Sequence, residues 1–132
     1  MDEKIVQTAA GLLIPVSGYE KGRLAEISKG HAVVSIEITE SSLNTAGHVH
    51  GGFLYTLCDI SSGMVSISEG RHSVTLNGSI NYIKGISQGT LRIDARSIHT
   101  GRKTIVVETK VTNEENDLIA SGTFTMYKVG DL

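Results

Sequence analysis

Apolar residues recur along this chain with two periods, and the switch between them predicts its elements. Residues 53–68 carry the longer period. At 100° per residue, Phe53, Leu54, Leu57, Cys58, Ile60, Met64, Val65 and Ile67 fall on one broad arc, interrupted only by Ser61. Tyr55, Thr56, Asp59, Ser62, Gly63 and Ser66 fall on the opposite arc. A helix with half its surface apolar needs a sheet to lie on. A weaker helical pattern in residues 2–13 (Ile5, Val6, Ala9, Leu12, Leu13) ends near Pro15 and predicts a short docking helix. Elsewhere the period is two. Residues 22–28 are a weak strand, and residues 31–39 alternate Ala32, Val34, Ile36 and Ile38 with Ser35 and Glu37. A loop rich in Ser, Asn and Gly fills residues 40–52. After Gly70 four long strands follow. Residues 73–83 set Val74, Leu76, Ile80 and Tyr82 in phase; residues 90–99 set Leu91, Ile93 and Ala95 against Arg92, Asp94 and Arg96. Residues 103–112 and 117–127 alternate in the same way, the last with Leu118, Ala120, Phe124 and Met126 in phase. Polar-out alternation means antiparallel strands with one covered face. One long helix on an antiparallel sheet is an α+β domain.

At 132 residues there is room for one domain, residues 1–132, with residues 1–18 as an N-terminal helix and extension. A formal charge of −2 provides no basic excess for phosphate backbones, and four Tyr, two Phe and no Trp supply few stacking platforms, so no nucleic-acid partner is expected. The single cysteine, Cys58, excludes an internal disulfide framework and suits a reducing compartment. No apolar run reaches the ~18 residues a membrane span needs, and the start does not read as a signal peptide. The expectation is a cytoplasmic protein.

The stretch that carries chemistry is Asn44-Thr-Ala-Gly47-His48-Val-His50-Gly51-Gly52, with Asp59 seven residues further on. Gly51 and Gly52 stand at the start of the long helix, where the first N–H groups lack helical partners and the dipole is positive. Bare glycines let a ligand oxygen approach those donors, which suits a carbonyl becoming an oxyanion. Two glycines also make a tight loop-to-helix turn. Asn44 can brace the loop or donate its amide to a substrate. His48 and His50 have the look of metal ligands, but no third ligand has matching spacing and no metal is expected. His50 better suits orienting the glycine loop. Asp59 lies mid-helix on a narrow arc of small polar residues, more like a cleft floor than a face of Lys and Glu. Cys58 falls on the apolar arc and reads as a core residue.

Asn-x-x-Gly-x-x-His-Gly-Gly followed by that Asp resembles the hotdog-fold acyl-CoA thioesterases of the phenylacetate-degradation (PaaI-like) group. Val74-Thr75-Leu76 with Asn81-Tyr82, Gly89, Gly101-Arg102, and Ala120 with Gly122-Thr123 extend the resemblance over residues 20–128. It implies a hotdog fold: a long helix wrapped by a curved antiparallel sheet in the order 1-2-4-5-6-3, in dimers that pair into tetramers. It implies an acyl-CoA substrate of aryl, short or medium chain, hydrolysed to free acid and CoA with no separate cofactor. By position, Asp59 would be the catalytic carboxylate, as general base or nucleophile. Gly51, with Gly52 beside it, would meet the thioester carbonyl. Asn44 would assist that side, His50 would support the loop, and Thr75 would orient the carboxylate or its water. Lys84, Arg102 and Lys103 are candidates for the CoA phosphates, or plain exposed bases near turns. Where the family often has a proline after the basic residue, this chain has Gly85.

One consequence follows from helix geometry. Gly51 and Asp59, eight positions apart, are separated by ~12 Å along the axis, whereas reacting groups must sit ~3 Å from one centre. Each site should therefore combine Asn44 and Gly51 of one subunit with Asp59 and Thr75 of its partner. Two rival readings stand beside hydrolysis. A hotdog hydratase or dehydratase would rely on a His paired with a carboxylate, and a non-catalytic acyl-CoA binding module would have no need of Asp59.

Overall fold

The computed structural model describes residues 1–12 and 18–132. Helix α1 spans Glu3–Ala10, its first turn capped by the Asp2 carboxylate, which accepts from the Lys4 N–H at 2.8 Å. Leu13 and Pro15, where the sequence pattern placed the end of this helix, lie outside the described residues. Strands β1 (Arg23–Ser28) and β2 (His31–Glu37) form a hairpin, and a 3-10 turn at Glu40–Ser42 opens the glycine-rich loop. Helix α2 spans Gly51–Ser68, two residues longer at its start than the apolar period predicts. Strands β3 (Arg71–Tyr82), β4 (Thr90–Thr100), β5 (Thr104–Thr112) and β6 (Leu118–Asp131) complete one antiparallel sheet in the order β1-β2-β4-β5-β6-β3.

This is the hotdog arrangement: α2 touches all six strands and the sheet curves around it. Inward residues Val34, Ile36, Ile93, Val107, Ala120 and Phe124 meet Leu57, Met64 and Val65 of the helix, all fully buried. Register irregularities in β1, β3, β4 and β6 supply the bends that a flat sheet would lack. Helix α1 covers the side of α2 that the sheet leaves open, at Gly63; a Cβ there would meet Leu12 Cδ1 at 3.3 Å. Among the described residues no helix is long and apolar enough to cross a membrane.

Two strands depart from the expected phase. In β3 the register slips between Thr75 and Asn77, leaving Leu76 as an extra residue. Val74 and Leu76 therefore turn outward, 52% and 63% exposed, while Gly78 and Ile80 turn toward the helix. A strict period of two puts all the even positions on one face; the bulge flips it midway. In β6 the slip between Val111 and Thr112 of its neighbour buries Ile119 and leaves Leu118 37% exposed. The polar arc of α2 is also more enclosed than expected. Ser62 and Ser66 are fully buried, and Ser61 and Ser62 return their hydroxyls to the carbonyls of Leu57 and Cys58 at 2.7 and 2.8 Å.

Candidate active site

The loop before α2 is held by Asn44. Its Oδ1 accepts from the N–H of Ala46 at 2.9 Å and of His48 at 3.1 Å, and its own N–H donates to the His48 carbonyl at 2.7 Å. Gly47 takes the left-handed conformation (φ +81°) that this tight circuit requires. The brace role weighed from sequence is therefore occupied at Oδ1, and the side-chain NH2 has no partner among the described residues. The loop delivers His50 to the N-cap position, where its N–H donates to the Ser42 carbonyl and its carbonyl accepts from Phe53 and Leu54. The imidazole of His50 is exposed and makes no hydrogen bond among the described residues; its backbone, not its ring, ties the loop to the helix. The His48 ring lies over Gly85, where a Cβ would meet Nδ1 at 2.5 Å. A side chain at position 85 would meet this exposed ring where it stands.

Among the described residues no side chain caps the start of α2. Gly51 and Gly52 present their N–H groups with no acceptor among the described residues, at the positive end of an 18-residue helix. Gly51 opens on a cleft of about 300 Å³ lined with it by Leu54, Tyr82, Ile83, Lys84 and Ile86. Such a site can hold an oxygen on which negative charge develops. Outer-face concavities of the same order are lined by ions paired with one another, Arg92 and Arg96 with Asp94 among them.

Two turns further along α2, Asp59 is half-buried beneath β3. The Thr75 hydroxyl donates to its Oδ1 at 2.5 Å, leaving Oδ2 without a partner among the described residues. The structure thus brings Asp59 and Thr75 together and sets them apart from Asn44 and Gly51 of the same chain. Tyr55 fixes the crossing of helix and strand between these groups. Its hydroxyl stands against Gly78, and its ring packs edge-on to Phe124 at 5.1 Å; only glycine leaves room there, and an added Cβ would lie 2.7 Å from the Phe124 ring. Cys58 is fully buried, and burial chiefly pushes its thiol up to about 11, so it stays protonated.

The three candidate phosphate contacts are not neighbours within one chain. Lys84 lines the cleft beside Gly51 and pairs with Asp117 at 2.8 Å, and this partner raises the lysine pKa and lowers that of the aspartate. Arg102 and Lys103 stand with Lys128 beside Arg71, whose guanidinium donates to the Gly101 carbonyl. Arg71 and Tyr82 close opposite ends of β3, roughly 36 Å apart at strand rise. Sequence reasoning missed one contact altogether: the Tyr82 hydroxyl donates to the Gly51 carbonyl at 2.8 Å, across 31 positions of chain. Nothing local in the sequence signals it.

The described geometry is an activated helix start, an open cleft and a carboxylate on a shared fold. The family model described as Thioesterase superfamily matches residues 46–120, which hold Gly51, Asp59 and Thr75. The chain belongs to the thioesterase superfamily. It is 44% identical to smu.793 of Streptococcus mutans UA159, solved bound to acetyl CoA, with a TM-score of 0.83 over 90% of this chain and 97% of that one. A hypothetical thioesterase of Streptococcus pneumoniae TIGR4, solved with coenzyme A, is 41% identical, with a TM-score of 0.85 over 88% and 94%. Acyl-coenzyme A thioesterase PaaI of Escherichia coli K12 is 26% identical over 81% of this chain and 77% of its own length. Two further structures of the pneumococcal protein carry alanine in place of an aspartate and of a threonine sixteen positions apart, the spacing between Asp59 and Thr75. The resemblance to the PaaI-like hotdog thioesterases thus holds, and the chain is a thioester hydrolase.

Proposed function

We propose that this thioesterase hydrolyses acyl-CoA to a free acid and CoA in sites shared between two copies of the chain. The observation that carries the reading is the Asp59–Thr75 pair, held a full ~12 Å down the helix from the open amides of Gly51 and Gly52. The free edge of β3 supports the sharing. Its twelve residues pair with β6 on one side only, and Val74, Leu76 and Tyr82 are all more than half exposed. A long apolar edge invites another strand. Placing Gly51 opposite the partner subunit's Asp59 puts the twofold axis midway, at Tyr55, which stands over Gly78 in the middle of β3. The two β3 edges then run antiparallel about their own centre, as an isologous interface requires. The same axis carries the partner's Arg102 and the partner's Lys103 to the Lys84 end of the cleft, where the phosphate end of CoA would leave it.

In this site the thioester carbonyl accepts from the Gly51 and Gly52 amides, with the Asn44 NH2 assisting. The partner's Asp59 presents Oδ2, since Thr75 holds Oδ1, and either takes a proton from a water whose oxygen adds to the carbonyl carbon, or attacks that carbon itself to give an acyl–aspartyl anhydride that a water then hydrolyses to the free acid. The carbon–sulfur bond breaks as the carbonyl re-forms, and the departing sulfur takes up the proton from that water to leave as the CoA thiol. Release of free CoA, measured against a change in enoyl absorbance, separates hydrolysis from the hydratase reading. Thiol release measured across aryl, short-chain and medium-chain acyl-CoAs tests the proposal. Turnover of at least one class is expected; tight binding of every ester with no release of thiol would make the chain a binding module instead.

A further inference from the structure

Gly51 and Gly52 pose a mechanical problem. Donors that stabilise an oxyanion act only if they are fixed before the charge develops, yet successive glycines are the freest residues in backbone torsion. No side chain caps this helix start among the described residues. Beyond the helix's own ladder, restraint comes from the last residue of β3. The Tyr82 hydroxyl donates to the Gly51 carbonyl at 2.8 Å, the only side-chain hydrogen bond to either glycine among the described residues. Its ring also lies flush with Gly51, so closely that an added Cβ would stand 3.0 Å from Cζ and 3.2 Å from the hydroxyl oxygen.

The Gly51 carbonyl and the Gly52 N–H belong to one planar peptide unit and point in opposite directions. Holding the carbonyl therefore aims the N–H. A donor on the carbonyl also polarises the peptide and strengthens its N–H as a donor in turn. Tyr82 keeps its proton throughout the neutral range, because partial burial and the nearby Cys58 and Tyr55 raise its pKa. Tyr82 also lines the cleft, so one side chain sets both the wall and the direction of the Gly52 amide. We propose that Tyr82 is a positioning residue for hydrolysis, clamping the Gly51–Gly52 peptide so that the Gly52 N–H meets the reacting carbonyl. This inference rests on the thioester site proposed above and deepens it.

Tyr82→Phe keeps the ring and removes only the clamp. With the acyl-CoA that the parent protein turns over best, kcat should fall about 10-fold, KM should stay within about 3-fold, and the melting temperature should hold. In an amide-resolved NMR spectrum the largest changes should fall on Gly51 and Gly52. Gly51→Ala, whose methyl displaces the ring, should lower kcat as much or more, and adding Tyr82→Phe to it should cost less than a further about 3-fold, since both act through one contact. A Tyr82→Phe kcat within about 2-fold of the parent, a change confined to KM, additive losses in the double variant, or undisturbed glycine amides would each overturn the proposal. An inactive parent would instead overturn the thioester reading, and with it any catalytic meaning for Tyr82.

Discussion

The two ends of α2 are written in the same small residues and use them in opposite ways. At the C-terminal end Ser61, Ser62, Ser66 and Ser68 are buried, and three of these hydroxyls bond back to carbonyls of the preceding turn. Ser68 also accepts the Gly30 N–H, and Gly70 closes the helix in the left-handed conformation. That end is sealed. At the N-terminal end Gly51 lines a cleft, the amides of Gly51 and Gly52 are unclaimed among the described residues, and further down the same polar arc stands a carboxylate bound on one oxygen only. Small polar residues fill a core where their groups are satisfied, Ser66 excepted, and make a site where the satisfaction is left to a substrate. The comparison separates the residues that hold the fold from those that act.

Changes at the open end should cost activity and spare stability; changes at the sealed end should do the reverse. Asp59→Ala carries the largest expected effect, a fall in kcat of about 10²–10⁴ with KM little changed, read by thiol release. Near-normal turnover in a pure preparation would remove Asp59 from the mechanism. Met64→Ala, at a fully buried position, should lose about 2–5 kcal/mol in denaturant titration while the folded fraction keeps its kcat. Cys58 offers a check by pH. Its folded-state pKa stands at about 11 against an ordinary 9.0. A value raised by folding gives stability that is whole below pH 9 and drains as the pH climbs from 9 toward 11. Cys58→Ala should flatten that part of the pH profile, and alkylation of the native thiol at pH 8 would contradict the burial. The smallest effect belongs to Ser66→Ala. Its buried hydroxyl has no partner among the described residues, so its removal should shift stability by less than about 1 kcal/mol.

Much of this was legible in the residues, and the failures have physical causes. The period of 3.6 over residues 53–68 marked α2 because its apolar arc is continuous, and the six strands showed through their alternation. The phase of β3 was not legible. A bulge is a property of pairing, and nothing in Val74-Thr75-Leu76 announces that Leu76 has no opposite number on β6. Asn44, Gly51, Asp59 and Thr75 could be picked out as a constellation, but their grouping into two separate pairs depends on the crossing of Tyr55 over Gly78. Tyr82 escaped notice as a partner of Gly51 because strand residues at the end of a period carry no mark of what lies above them. Arg102 and Lys103 read as equivalent to Lys84 until β3 put its own length between them.

The account depends on each site being built by two chains, and subunit mixing tests that most directly. Asn44→Ala and Asp59→Ala proteins, each nearly inactive alone, are unfolded together and refolded as a mixture. Random pairing makes half the dimers mixed, each with one intact site, so about a quarter of the parent activity should return. Mixed dimers confirmed by mass spectrometry that regain no activity would contradict the shared site.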